Sequence, residues 1–218
     1  MVPGGYENSV QQHAAEALSA QAYFQRLAKL IPQLPYAAID DIVAALLQVF
    51  TEERTVYVFG NGGSAASASH MMVDMNKGTT ELAGARRPKV MALTDNVPLL
   101  TAWANDSSYE RVFSEQLKSF LRNRDVAFAI STGGNSPNVL LALETARERG
   151  AVTLGMSGYH GGKMKALCDI CAVVPSDNMQ MIEDMHHAML HSILIAVRAR
   201  LRFGKPEALS AAAGRFQK

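Results

Sequence analysis

The stretch TVYVFGNGGSAASASHMMVDM, residues 55–75, decides the fold class because it joins a strand to a helix through a glycine-rich turn. Its first five residues are β-branched or aromatic, which is typical of a strand. The alanine-rich segment that follows lacks strand alternation and predicts a helix over about 64–77. Glycine allows the backbone of the turn at 60–63 to adopt positive φ. The stretch therefore predicts a strand–loop–helix unit.

The same succession of strand and helix recurs along the rest of the chain. Five short runs are apolar throughout rather than alternating, which is typical of strands covered on both faces. They lie at 55–59, 89–93, 126–130, 151–155 and 170–174. Helical patterns follow them, at about 64–77, 97–120, 136–149, 161–168 and 178–202. This alternation predicts an α/β fold, a doubly wound five-stranded parallel sheet sandwiched by helices.

Two helical patterns precede the sheet, over 7–31 and 37–50, and Pro32 and Pro35 separate them. They predict an N-terminal helical hairpin. No internal repeat divides the chain, so one domain over residues 1–218 is expected. Its parts are a helical region at about 7–53, an α/β core at about 54–202 and a tail at 203–218.

The composition excludes several classes of protein. Of the 218 residues 48% are hydrophobic and 19% are charged, and the net charge is +1, which is ordinary for a globular protein. Because there is no basic excess, no nucleic-acid partner is expected. No window of about 18 apolar residues could span a membrane and no signal-peptide pattern begins the chain, so a cytoplasmic location is expected.

The only two cysteines, Cys168 and Cys171, form a C-x-x-C pair. Such a pair can be redox-active or bind a metal. Here it runs into the apolar strand at 170–174, which favours a structural role.

Glycines and polar side chains follow the first and third predicted strands. Ligands of open α/β sheets bind at these carboxyl ends, where helix N-termini and glycine N–H groups attract anions. Neither loop has a Walker lysine or the G-x-G-x-x-G spacing, which disfavours a nucleoside triphosphate or a dinucleotide. The loops therefore predict a site for a small phosphate-bearing ligand. Its candidate residues are Asn61, Gly62, Gly63, Ser64, Ser131, Thr132, Asn135 and Ser136.

Asp95 follows the second predicted strand, in the sequence Thr94–Asp95–Asn96. This turn could cap the next helix, or it could hydrogen-bond the hydroxyl groups of a polyol. The sequence leaves both interpretations open.

Histidines and carboxylates lie together on two predicted helices. His70 and Asp74 are four residues apart and therefore share a face. The run MIEDMHHAMLH, residues 181–191, adds Glu183, Asp184 and three histidines. Two histidines and two carboxylates from two helices can bind a divalent metal, or act as acid and base on a sugar. Helix geometry leaves open whether Asp184 or Glu183 accompanies His191. His186 and His187 are expected to be packed or solvated.

Several of these motifs together resemble a known family, the SIS (sugar isomerase) domain, and within it the sedoheptulose-7-phosphate or phosphoheptose isomerases. The resemblance spans roughly residues 10–200. It rests on GNGGSA, ALTDN, LTAxxND, ISTxGNSPNVL, VPSDN and IEDxH, in their order along the chain. It implies a homotetramer built through the N-terminal helices, with active sites at subunit interfaces. It also implies a phosphate held by Ser64, Ser131, Thr132 and Ser136.

The resemblance further implies a divalent metal, with zinc as the expected ion. Its ligands would be His70, Asp74, Glu183 and His191, of which Asp74, Glu183 and His191 would be catalytic. This chain departs from the family pattern at several positions, and Lys77–Gly78 stands where the family often has an arginine. Asp74 replaces a glutamate, Glu183 a glutamine, and Gly133 a serine. Glu183 could therefore take a proton that the shorter Asp74 does not reach.

The implied activity is that of an aldose–ketose isomerase. It would convert sedoheptulose 7-phosphate to D-glycero-D-manno-heptose 7-phosphate through an enediol intermediate. Two alternatives belong to the same resemblance. One is an isomerase for a different sugar phosphate, and the other is a non-catalytic protein that binds a sugar phosphate or the replication initiator DnaA.

Overall fold

The computed structural model describes residues 19–79 and 87–203. The first part of the helix predicted over 7–31, and the predicted tail beyond residue 203, lie outside the described residues. The extent of a single domain over 1–218 stays a prediction.

The described strands form one five-stranded sheet in the order β2-β1-β3-β4-β5, and every neighbouring pair is parallel. The predicted α/β fold with a five-stranded parallel sheet is confirmed. The strands are β1 Thr55–Gly60, β2 Lys89–Ala92, β3 Val126–Ser131, β4 Val152–Ser157 and β5 Ile170–Val173.

Helices precede the sheet and connect its strands. They are α1 Ala20–Leu30, α2 Tyr36–Thr51, α3 Gly63–Gly78, α4 Val97–Asp106, α5 Ser114–Phe120, α6 Pro137–Glu148, α7 Met164–Leu167 and α8 Met179–Phe203. Two short 3₁₀ helices, Ile31–Gln33 and Tyr109–Arg111, lie between them. The described part of the N-terminal region, α1 and α2, agrees with the predicted helical hairpin.

The prediction of one helix over 97–120 is wrong. The chain forms α4, leaves helical geometry at Ser107 (φ −135°, ψ −94°), and resumes as a 3₁₀ turn and α5. Short polar side chains at 105–108 compete for backbone hydrogen bonds, which weakens a helix interior. The helix predicted over 161–168 is also shorter. Its first two residues, Gly161 and Gly162, have φ of 91° and 57°, so the helix begins only at Met164.

The central strands β1, β3 and β4 are buried on both faces, because successive side chains point to opposite sides of a covered sheet. The edge strand β2 alternates between exposed and buried residues, so the prediction that it is covered on both faces is wrong. Val56 and Val58 belong to a core with α2, α3 and α8, whereas Tyr57 and Phe59 belong to a second core with α5, α6 and α7. The methionines of α3 and α8 pack mainly in the first core; five of them are buried, namely Met71, Met75, Met181, Met185 and Met189. This packing holds α3 and α8 side by side.

Within the described residues, no single helix combines the length and hydropathy needed to cross a bilayer. The bent pair Ala20–Gln33 and Tyr36–Thr51 meets those criteria only when its two helices are taken together.

Cys168 and Cys171 lie next to each other, at the end of α7 and in β5, and both thiols are free. A hydrogen bond between them raises the pKa of Cys168 and lowers that of Cys171. Both sulfurs face Gly155 of β4, where an added Cβ would lie 2.7 Å from Cys168 Sγ. Their structural role stays a prediction.

Candidate active site

The carboxyl ends of β1 and β3 are adjacent, and the chain leaves them toward opposite sides of the sheet. Such a switch point is where open α/β sheets bind ligands. Gly60 ends β1 opposite Ile130 of β3. A Cβ atom on Gly60 would lie 2.5 Å from Ile130 O and 2.7 Å from Ser64 Cβ, so the first loop can leave the sheet here only from a glycine.

The loops after β1 and β3 are joined by a pair of side-chain amides. Asn61 Nδ2 donates to Asn138 Oδ1 and Asn138 Nδ2 donates to Asn61 Oδ1, both at 2.9 Å. The Tyr109 hydroxyl also donates to Asn61 Oδ1, at 2.9 Å. Asn61 was expected to bind substrate, and the structure uses its amide to hold the two loops together. Sequence reasoning did not single out Asn138, although it lies within the motif ISTxGNSPNVL, and it missed Tyr109, which no quoted motif contains.

The loop after β3 is held in shape by its own polar groups. The Gly134 N–H, at φ 64°, donates to Ser131 Oγ over 3.2 Å. Asn135 Nδ2 donates to Gly133 O, and Asn135 Oδ1 accepts from the Lys163 N–H at 3.0 Å. The hydroxyl of Ser136 does not cap α6 and stands at that helix's N-terminus. Thr132, Gly133 and Asn135 line one wall of a cavity of about 570 Å³.

The glycine turn after β1 leads into the N-terminus of α3 without a side-chain cap, through Gly62 at φ 55°. Ser64 is buried in the first turn. The Glu183 carboxylate lies against this helix end, because a Cβ on Gly63 would be 3.0 Å from Oε1 and 3.1 Å from Oε2. The partial positive charge of a helix N-terminus favours such an anion.

Three of the predicted metal ligands meet between α3 and α8. His70 Nε2 lies 3.2 Å from Asp74 Oδ2 and 3.0 Å from His191 Nε2, and His191 Nε2 lies 3.7 Å from Asp74 Oδ2. The side chains are 42%, 27% and 49% exposed for His70, Asp74 and His191, so a ligand can reach them. Two ligands of tetrahedral zinc at 2.0–2.1 Å lie about 3.4 Å apart. The three donor atoms therefore fit a divalent metal.

His187 is a fourth member of this group, which sequence reasoning expected to be packed or solvated. Its ring centroid lies 4.8 Å from that of His70 and 5.4 Å from that of His191. Burial, followed by the nearby His70 and His191, lowers the pKa of His187. His187 and His191 are four residues apart, as are His70 and Asp74, so each pair shares one face of its helix. This spacing is the sequence signal that could have identified His187 as a site residue.

The remaining candidates of α8 point elsewhere. His186 is buried and its Nε2–H donates to Ser157 O at 3.1 Å, while burial lowers its pKa to about 4. Asp184 accepts a short hydrogen bond from the Tyr23 hydroxyl of α1. Burial and this hydrogen bond raise the pKa of Tyr23 to about 12. Asp184 thus faces α1 and Glu183 faces the glycine turn, and which of the two accompanies His191 stays a prediction.

Asp95 lies beside α3. Its Oδ1 accepts a short hydrogen bond from the Ser69 hydroxyl and a longer one, 3.3 Å, from Thr94 Oγ1. Asn96 caps α4 instead, by accepting from the Leu99 N–H at 3.1 Å.

Comparison with known proteins adds to this geometry. The SIS domain family matches residues 21–158. The phosphoheptose isomerase of Pelobacter propionicus is 37% identical over 84% of this chain and 94% of its own length. That of Rhodospirillum rubrum is 41% identical over 77% of this chain and 86% of its own. The chain belongs to the SIS domain family, in its phosphoheptose isomerase group.

Solved structures of phosphoheptose isomerases agree with this membership. A phosphoheptose isomerase from Francisella tularensis superimposes with a TM-score of 0.75 at 26% identity, covering 82% of this chain and 95% of the other. The phosphoheptose isomerase GmhA from Neisseria gonorrhoeae gives a TM-score of 0.70 at 29% identity, over 89% and 99% of the two chains. The resemblance inferred from the sequence motifs is confirmed.

One part of the ligand set that the SIS resemblance implies is not brought together. From Glu183 to His191 the axis of α8 rises by about 12 Å over eight residues. The Glu183 carboxylate stays at the N-terminus of α3, level with Gly63, and outside the group formed by His70, Asp74 and His191.

Proposed function

We propose that the protein is a phosphoheptose isomerase, which interconverts sedoheptulose 7-phosphate and D-glycero-D-manno-heptose 7-phosphate through an enediol. The observation that carries the proposal is the His70–Asp74–His191 group in a chain 37% identical to a phosphoheptose isomerase. A purely sugar-binding protein has no need of an exposed carboxylate between two imidazoles.

The phosphate end of the substrate belongs at the loop after β3. There Ser131, Thr132 and Ser136 supply hydroxyls, and the 12-residue helix α6 supplies backbone N–H groups and its dipole. Ser64 and the glycines Gly62 and Gly63 approach from the neighbouring loop. Because Glu183 already places a negative charge at the N-terminus of α3, α6 is the more favourable of the two helix ends for a phosphate.

The length of the substrate suits this arrangement. His70 follows Gly63 by seven residues, which is about 10 Å along a helix. An extended chain covers roughly 1.2 Å per bond, so the reactive carbons of a heptose 7-phosphate lie about 9 Å from phosphorus. The length of a heptose 7-phosphate is thus comparable to the distance from the glycine turn, which adjoins the phosphate loop, to the histidine group.

The position of the carboxylates favours Asp74 over Glu183 as the base. Asp74 lies beside the two imidazoles, whereas Glu183 lies near the phosphate end. In the proposed reaction Asp74 takes the proton from C1 of the ketose and returns it to C2, which yields the aldose. His191 moves the hydroxyl proton between O2 and O1.

His70, Asp74 and His191 would hold a divalent metal, and zinc is the proposed ion. A bound metal supplies positive charge that stabilises the developing enediolate. His70, which contacts both residues, would hold Asp74 and His191 in place beside C1 and C2 of the bound sugar.

A homotetramer and a cytoplasmic location are part of the same proposal. Large apolar side chains remain exposed on and around α1 and α2, among them Phe24 at 65% and Tyr36 at 52%. An apolar groove of about 360 Å³ lies between this region and α8. Light scattering after size-exclusion chromatography tests the oligomer, and a monomeric mass would contradict it.

The decisive experiment is an isomerase assay on sedoheptulose 7-phosphate with metal-loaded wild type, Asp74→Asn and His191→Ala. Loss of a general acid or base costs about 10²–10⁴-fold in rate, so both variants should lose at least 100-fold in kcat. Asp184→Asn is the matched control, since Asp184 faces Tyr23, and it should keep wild-type turnover. A wild type that binds the sugar phosphate without turning it over would refute the proposal.

A further inference from the structure

We propose that His187 is the fourth metal ligand of this protein, in the role that the family resemblance assigns to Glu183. The ligand set is then His70, Asp74, His187 and His191, and Glu183 stays outside it. The inference rests on the proposed function only for the presence of a metal, and it is tested by metal binding, which needs no turnover.

The register of α3 against α8 is the first argument. Glu183 lies level with Gly63, His187 with Ser67, and His191 with His70. The residue numbers rise together, so the two helices run in the same direction and each turn of α8 faces one turn of α3. His187 is therefore one turn from His191, whereas Glu183 is two turns away.

The orientation of the His187 ring is the second argument. Its Nδ1 lies 3.3 Å from Ser67 Oγ. When Nδ1–H donates to this hydroxyl, the lone pair of Nε2 is left for a metal, and this is how metal-binding histidines are usually oriented. Ser67 is buried, so its hydroxyl has a fixed position.

The distances are close to those of a metal centre. One donor nitrogen from each of His70, His187 and His191 lies within 4.8 Å of the others. Ligands of tetrahedral zinc lie about 3.4 Å apart, so the separations among these three nitrogens exceed those of a metal centre by at most about 1.4 Å. Rotation of the partly exposed His187 imidazole is the expected adjustment on ligation.

Glu183, by contrast, would have to leave a favourable position. Its carboxylate lies against Gly63 at the positive end of α3. Helical side chains lean toward the N-terminus of their own helix, which for Glu183 is away from His191. To reach the metal, the Glu183 carboxylate would have to move past His187 toward His191. It would then lose its favourable position at the N-terminus of α3.

The test compares metal affinity in His187→Ala and Glu183→Gln, measured with Zn²⁺ and Co²⁺ against a chromophoric chelator. Removal of an outer-shell partner costs 10–100-fold in metal affinity, so His187→Ala should lose at least 100-fold. Glu183→Gln should stay within threefold of wild type. Ser67→Ala should lose affinity by an intermediate factor of about 10–100. In the Co²⁺ protein, the visible absorption band should change in His187→Ala and keep its position in Glu183→Gln.

Thermal unfolding of the metal-free variants provides the folding control, and His187→Gln, which keeps most of the side-chain volume, replaces the alanine variant if that does not fold. Equal affinity of His187→Ala and wild type would overturn the proposal, as would a 100-fold loss in Glu183→Gln. A wild type that binds metal through His187 and shows no isomerase activity would support this inference and refute the proposed function, so the two failures are distinguishable.

Discussion

Asn138→Ala tests whether the two loops of the site are held by the amide pair. Asn138 is 2% exposed and exchanges two hydrogen bonds of 2.9 Å with Asn61. These bonds join the loop after β1 to the start of α6, across the switch point of the sheet. Their removal should therefore weaken both the fold and the phosphate site.

The magnitude follows from what the alanine leaves behind. Two neutral hydrogen bonds contribute about 1 kcal/mol each, and the half-buried Asn61 Nδ2 loses its acceptor at a further cost of about 1–3 kcal/mol. Asn61 Oδ1 keeps the Tyr109 hydroxyl and adds no penalty. The free energy of unfolding should fall by about 3–5 kcal/mol, which lowers the Tm of a chain of this size by about 6–20 °C.

Urea and thermal unfolding at one fixed protomer concentration measure the effect, since oligomer stability depends on concentration. Tyr109→Phe is the matched control. It removes only the bond from an exposed hydroxyl and should cost less than about 1 kcal/mol. A loss below about 0.5 kcal/mol in Asn138→Ala, or equal losses in the two variants, would refute the reasoning.

Three further predictions concern single positions. Gly60→Ala should destabilise the protein by at least about 2 kcal/mol in urea unfolding, because its Cβ would lie 2.5 Å from Ile130 O; an unchanged midpoint would contradict this. Glu183→Gln removes a negative charge near the phosphate end, so the KM should fall roughly fivefold, a Coulomb effect of about 1 kcal/mol, with little change in kcat. A collapse of kcat would instead identify Glu183 as the base. The pKa of Tyr23 is raised to about 12, so between pH 10 and 12 the folded state retains a proton that the unfolded state has lost. The free energy of unfolding should fall as the pH rises through that window, and less steeply in Tyr23→Phe; identical slopes would contradict the Tyr23–Asp184 contact.

Local sequence determined the sheet. Strand segments such as 56–59 and 126–130 are apolar at every position, and only a central parallel strand covered on both faces needs that pattern. The glycines that follow β1 and β3 predicted a binding site at the carboxyl ends of these strands. In the structure the two loops are joined there by hydrogen bonds. The boundaries that failed, around 107 and 161, are those at which short polar residues or glycines interrupt helical periodicity.

The composition of the site was decided by tertiary structure. The sequence indicated that His70 and Asp74 share a face, because both belong to one helix. It could not indicate which residues of α8 face them, since that depends on how far α8 is displaced along α3. Buried methionines such as Met71 and Met185 hold the two helices in one register, and they lie far apart in the chain. That register brings His187 beside His70 and leaves Glu183 at the glycine turn. Helix periodicity determines which residues share a face of each helix, but only tertiary packing determines how far one helix is displaced along the other.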